Sequence, residues 1–192
     1  MSDWKPRRTA LAVGAVAALL DVVTKSWAFR AIPLETSVPV AGDWLLFHTR
    51  YNRGLPWSLG AGRLPTEIMR FLLPAVSVLA VVVLAAILRK TDPRDRLKSW
   101  GLALILGGAA GNLWDRGWTA LDASHGGVRD FILLPNIVFG NPFPAFNLAD
   151  AWITVGVAFV GWRILFEKEP APCDGPPAPA DAPAKDAAEV RA

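Results

Sequence analysis

The chain has 192 residues, of which 53% are hydrophobic and only 19% charged. That is too apolar for an ordinary soluble domain and too short for a large transporter, so a small membrane protein is expected. A single cysteine, Cys173, excludes a disulfide framework, His48 and His125 lack ligand spacing for zinc, and a net charge of +3 fits loop charge better than nucleic-acid binding.

The first apolar segment covers about residues 9–32, with Asp21 and Lys25 in its second half. The charges and the lack of a small-x-small cleavage site predict a retained helix rather than a cleaved signal peptide. Residues 37–40 and 43–52 are rich in strand formers and predict a small sheet on the bilayer surface, with Trp44 and Trp57 near the headgroups. Three more apolar segments follow, at about residues 67–88, 97–114 and 143–166. Each of the four is near the ~20 residues a bilayer crossing needs, the one at 97–114 being short.

Lys5, Arg7 and Arg8 precede the first segment, Arg89, Lys90, Arg94, Arg96 and Lys98 crowd the link between the second and third, and Arg163 and Lys168 close the fourth. Basic loops stay cytoplasmic, so both termini are expected there and loops 33–65 and 115–142 on the outer face. Residues 128–132 and 137–139 are candidates to extend the sheet. From Glu167 the chain turns to Pro, Ala and charge, which cannot form a core. The expected division is a four-helix transmembrane domain over 1–166 and a disordered cytoplasmic tail over 167–192.

Asp150 sits where a polar loop becomes the last apolar segment, in Phe146-Asn147-Leu148-Ala149-Asp150-Ala151-Trp152. A carboxylate costs roughly 2.5–3.5 kcal/mol at the centre of a membrane helix, less near the surface, and so marks a functional site. Its expected partner is Asp130, in Gly127-Val128-Arg129-Asp130-Phe131, on the same outer face. Two facing carboxylates at a membrane surface suit acid/base chemistry on a substrate that is itself in the membrane. Taken singly, Asp130 reads as a solvated loop residue and Asn147 as a plain helix cap.

Asp21 and Lys25 are four apart and share a helix face, either as a snorkelling interfacial pair or as the anchor of a polar network. Tyr51-Asn52-Arg53-Gly54 reads alone as a turn; functionally it brings the Asn52 amide and the Arg53 guanidinium to substrate carbonyls. In Gly107-Gly108-Ala109-Ala110-Gly111-Asn112-Leu113-Trp114-Asp115-Arg116, Gly107 and Gly111 form a close-packing face. Gly108, Asn112 and Arg116 recur every four residues and line another.

Together, Asp21-Val22-Val23-Thr24-Lys25, Tyr51-Asn52-Arg53-Gly54, the Gly107–Arg116 stretch, Gly127-Val128-Arg129-Asp130-Phe131 and the block from Phe146 to Gly156 resemble the lipoprotein signal peptidases, or signal peptidase II. The resemblance implies an inner-membrane aspartyl endopeptidase with four transmembrane helices and a periplasmic sheet cradle. It implies cleavage of prolipoproteins before a diacylglyceryl-modified cysteine, by a monomer in contact with membrane lipids and without cofactor or metal. Asp130 and Asp150 match the catalytic dyad. Asp21, Lys25, Asn52, Gly108, Asn112, Arg116 and Asn147 match supporting or substrate-contacting positions, with Arg53 beside them. One departure stands out: Leu55-Pro56-Trp57-Ser58 follows the glycine where the family has small residues and Phe. Two other functions fit parts of the pattern. A small proton-coupled carrier would use Asp21, Lys25 and Asp150 as a relay, and a non-catalytic lipoprotein-binding paralogue would account for the 55–57 departure.

Overall fold

A computed structural model describes residues 4–54, 65–122, 124–138 and 141–166. The run at 55–58, Trp57 included, and the tail from 167, with Lys168 and Cys173, lie outside the described residues. The element order is α1 (Trp4–Ala31), β1 (Ser37–Ala41), β2 (Leu45–Asn52), α2 (Thr66–Lys90), α3 (Arg96–Leu121), β3 (Val128–Val138), β4 (Asn141–Phe146) and α4 (Leu148–Phe166). The protein is mostly helical, with one small antiparallel sheet of order β1-β2-β3-β4.

Three helices, α1, α2 and α4, are long and apolar enough to cross a membrane. Their large side chains are left bare on one side, as with Leu19 and Val23 on α1, Phe71 and Leu79 on α2, and Val157 and Ile164 on α4. In water this would be an aggregating surface; in lipid it is the solvated one. α3 is different. It packs against each of the other helices and buries Gly107, Gly108, Gly111, Asn112 and Asp115.

Glycine explains how α3 comes so close to two of these neighbours, α1 and α4. A Cβ on Gly107 would strike the Gly14 carbonyl of α1, and one on Gly111 would strike the Asp21 carboxylate. A Cβ on Gly108 would run into the Ala149 carbonyl of α4. The expected Gly107/Gly111 packing face is therefore the contact with α1, and Gly108 forms the contact with α4. At the end away from the sheet, Ala10, Leu88, Leu102 and Ala103 make an apolar core. Asp95 caps α3 there by accepting from the Lys98 N–H, and it pairs with Arg163 of α4 at 3.0 Å.

Two expected boundaries are corrected. The third apolar segment does not stop at Trp114, since α3 runs on to Leu121 and carries Asp115 and Arg116 out of the expected loop. Nothing in that stretch breaks a helix, and the buried Asp115 charge is neutralised by cations from two other elements. The fourth helix begins at Leu148 rather than near Phe143. Pro142 and Pro144 lack the N–H groups a helix interior needs, so these residues form β4 and pair with β3, Phe143 opposite Leu134 and Phe146 opposite Ile132. The segments after α1 and after α3 thus supply one sheet, with β2 and β3 joined through Arg50 opposite Asp130 and Asn52 opposite Val128. Trp44, at the β1–β2 hairpin, is 76% exposed.

The close approach at Gly107 predicts that Gly107→Val costs about 1–3 kcal/mol by overpacking. At Gly117 an added methyl group would meet nothing within 4 Å, so Gly117→Ala should be neutral or stabilising by about 0.5–1 kcal/mol. Thermal unfolding of both variants in detergent checks the contrast.

Candidate active site

The polar residues of the expected site converge where the sheet meets the ends of α1, α3 and α4. Asp130 lies near the start of β3 and is 2% exposed. Asp150 lies in the first turn of α4, which opens with a reciprocal cap. The Asn147 side-chain oxygen accepts from the Asp150 N–H at 3.1 Å, and Asp150 Oδ2 accepts from the Asn147 N–H at 3.2 Å. Asn147 Nδ2 in turn donates to Asp130 Oδ1 at 2.6 Å. Asn147 is therefore a helix cap and a bridge between both carboxylates at once.

A second amide holds Asp150 from α3, where Asn112 Nδ2 donates to Asp150 Oδ1 at 3.1 Å. Asn112 is itself oriented by Lys25, whose Nζ donates to Asn112 Oδ1 at 2.8 Å. Lys25 also pairs with Asp21 at 2.6 Å and with Asp115 at 3.3 Å. Asp21, Lys25 and Asp115 are all fully buried. The Asp21–Lys25 pair is thus an internal anchor rather than a snorkelling pair at the lipid boundary. Asp21 Oδ1 extends the anchor by accepting from the Ala149 N–H at 2.8 Å, one residue before Asp150.

The remaining expected residues sit around this frame. Asn52 hydrogen-bonds Asp130 and also accepts from the Gly54 N–H at 3.1 Å, so the turn and the site share one side chain. Arg53 is exposed and donates to the Gly126 carbonyl at 3.2 Å, which ties the segment after β2 to the one before β3. Gly108 contributes space, letting α4 close on α3 just below Asp150. Arg116 donates to Ser77 of α2 and lies within electrostatic reach of Asp130 and Asp150. Its Nε is buried with no protein partner among the described residues. Also among the described residues, no three His, Cys, Asp or Glu side chains gather as metal ligands.

Burial disfavours the charged form of Asp130, and the neighbouring Asp150 charge adds to that, so its pKa is pushed up to about 7. Hydrogen bonds from Asn147 and Asn52 and the Lys25 charge pull the other way and lose. A carboxyl that keeps its proton near neutrality, beside a second carboxylate, can donate a hydrogen bond while its partner accepts one.

This constellation coincides with a sequence match over almost the whole described chain, since the family model for signal peptidase (SPase) II matches residues 13–166. The chain belongs to the signal peptidase II family. The lipoprotein signal peptidase of Geobacillus kaustophilus is 32% identical over 160 residues, 82% of this chain and 94% of that protein. The one from Serratia proteamaculans is 34% identical over 146 residues, covering 76% and 79%. That of Mesorhizobium japonicum is 34% identical over 169 residues, covering 85% and 90%. A solved bacterial membrane enzyme, determined by the in meso method at 1.9 Å resolution, aligns with a TM-score of 0.66 at 25% identity, over 83% of this chain and 94% of its own. Another, at 2.3 Å, aligns with a TM-score of 0.61 at 25% identity, over 84% and 93%.

Within this signal peptidase II fold, sequence reasoning passed over two charged residues. Asp115 was legible only as part of a motif, and Arg129 only as the neighbour of Asp130. They meet in a close ion pair, Nε and Nη2 of Arg129 each 2.8 Å from Asp115 Oδ1. No helix period links positions 115 and 129; the loop between α3 and β3 brings them together. His125 in that loop packs edge-on against Tyr51, and burial lowers its pKa.

The raised pKa of Asp130 carries a signed prediction. The folded state keeps this proton after an unfolded chain has lost it, so the group subtracts stability as pH rises from about 4 to about 7. Activity that needs the proton should show an alkaline limb near pH 7 in kcat/KM. Asn147→Ala removes a bond to the charged form and should move that limb upward, besides costing about 0.5–2 kcal/mol as a lost cap. A limb that stays in place in this variant would contradict the assignment.

Proposed function

We propose that this chain is the endopeptidase that removes signal peptides from diacylglyceryl-modified prolipoproteins, cleaving before the lipidated cysteine, with Asp130 and Asp150 as its aspartyl dyad. The observation that carries the reading is the bridging of both carboxylates by Asn147, on elements from opposite sides of the site. Family membership supports the reaction class, and the lipoprotein signal peptidases named above support the substrate class.

The chemistry follows from one proton shared by two carboxyls. The ionised member takes a proton from water as the water attacks the scissile carbonyl. The protonated member hydrogen-bonds the carbonyl oxygen and later supplies the leaving amine. Arg116, with an unsatisfied buried N–H, offers a donor to a peptide carbonyl near the dyad.

In this reading all four helices cross the membrane. α3 is long enough, and its polar residues Asn112 and Asp115 are buried among its neighbours rather than turned to lipid. The protein sits in the bacterial inner membrane with the basic loop between α2 and α3 in the cytoplasm and the sheet on the periplasmic face. A lipid-anchored substrate then meets the dyad at the bilayer edge, where its acyl chains stay in hydrocarbon. The chain acts as a monomer on lipidated prolipoproteins.

Asp130→Asn and Asp150→Asn should each lower cleavage of a lipidated precursor in liposomes by about 10²–10⁴-fold. Wild-type turnover in either variant would end the dyad assignment.

A further inference from the structure

The two carboxylates of the proposed dyad belong to different kinds of element, one to a strand and one to a helix. Between them the chain passes through β4, so local connectivity does not fix their separation. Asn147 makes one short link. A second, longer link runs behind them and meets a dyad carboxylate only at its far end, where Asn112 donates to Asp150.

This link starts at Arg129, next to Asp130 on β3. Successive strand residues point to opposite faces, so fixing Arg129 fixes the rotation of the strand about its own axis and with it the aim of Asp130. Arg129 is fixed unusually well. Besides its Nε and Nη2 on Asp115 Oδ1, its backbone N–H donates to Asp115 Oδ2 at 3.1 Å. Its Nη1 reaches Ser26 Oγ on α1 at 3.2 Å. Asp115 passes the constraint to Lys25. Lys25 then divides it between Asn112, which holds Asp150, and Asp21, which holds the backbone N–H of Ala149.

Resting on the reading of Asp130 and Asp150 as the dyad, we infer that Asp115 and Arg129 are positioning residues that set strand β3 against helix α4 and thereby the geometry of the pair. Neither touches the reacting atoms. The alternating order of charge, from Arg129 through Asp115 and Lys25 to Asp21, satisfies each buried ion by the next. A planar guanidinium suits this place because its donors form a fixed fork, which an ammonium does not supply.

The test compares steady-state cleavage of a lipidated precursor by the full chain and its Arg129→Gln, Arg129→Lys and Asp115→Asn variants in liposomes, alongside thermal unfolding in detergent. Misplacement of catalytic groups by a fraction of an ångström predicts a fall in kcat on the order of 10–100-fold for R129Q, with KM within about twofold. The alkaline limb of its pH profile should move to lower pH, since a looser pair is better solvated and less repelled. R129K should recover part of kcat, and the D115N/R129Q double variant should be no worse than D115N alone.

Folded R129Q with wild-type kcat and an unmoved limb overturns the inference, as does loss confined to KM or explained by the folded fraction alone. Should R129Q not fold, R129K decides the matter by the same two readouts. Failure of the dyad reading is separate, because D130N or D150N would then cleave normally. Dead dyad variants together with an unaffected R129Q would remove only the positioning role.

Discussion

The structure turns on one buried ammonium group. Lys25 lies fully buried between Asp21, Asp115 and Asn112, and contributes from α1 a charge that α3 alone would lack. Taking one partner from a buried ion cluster typically costs about 3–5 kcal/mol, because the charge left behind stays desolvated. In a bilayer there is no water nearby to soften that loss. The cluster is therefore specific rather than merely attractive. With Arg129 on Asp115, it is complete only when α1, α3 and the start of β3 are all in place, and the glycines of α3 allow the approach.

The two ends of the molecule divide the work. Away from the sheet, small and aliphatic side chains fill the space between helices. Toward the sheet, packing gives way to hydrogen bonds with defined direction. Apolar contacts tolerate small slides between helices, whereas a bidentate guanidinium or a two-sided amide does not. Directional bonds thus concentrate where two carboxyls must keep their spacing.

Much of this was legible in the sequence. Apolar runs of the right length marked the helices, strand formers marked β1 and β2, and the spacing of Asp21 and Lys25 or of Asn147 and Asp150 put each pair on one face. What the sequence hid was long-range. The end of α3 was obscured because Asp115 and Arg116 look like loop residues until their partners on α1, α2 and β3 are known. The start of α4 was obscured because the apolar run crosses Pro142 and Pro144 without a change of composition. The Arg129–Asp115 pair left no periodic trace, and neither did the bond from Arg53 to the Gly126 carbonyl, 73 residues along the chain.

The reciprocal cap at the head of α4 has a further consequence. Asp150 is at once a member of the proposed dyad and part of the first turn of a lipid-embedded helix, so it cannot shift along the bilayer normal without moving the whole helix. Asn147 couples that height to Asp130 and hence to the sheet above. In the proposed function the cap works as a depth gauge, fixing how far below the aqueous boundary a peptide bond must be presented to be cut.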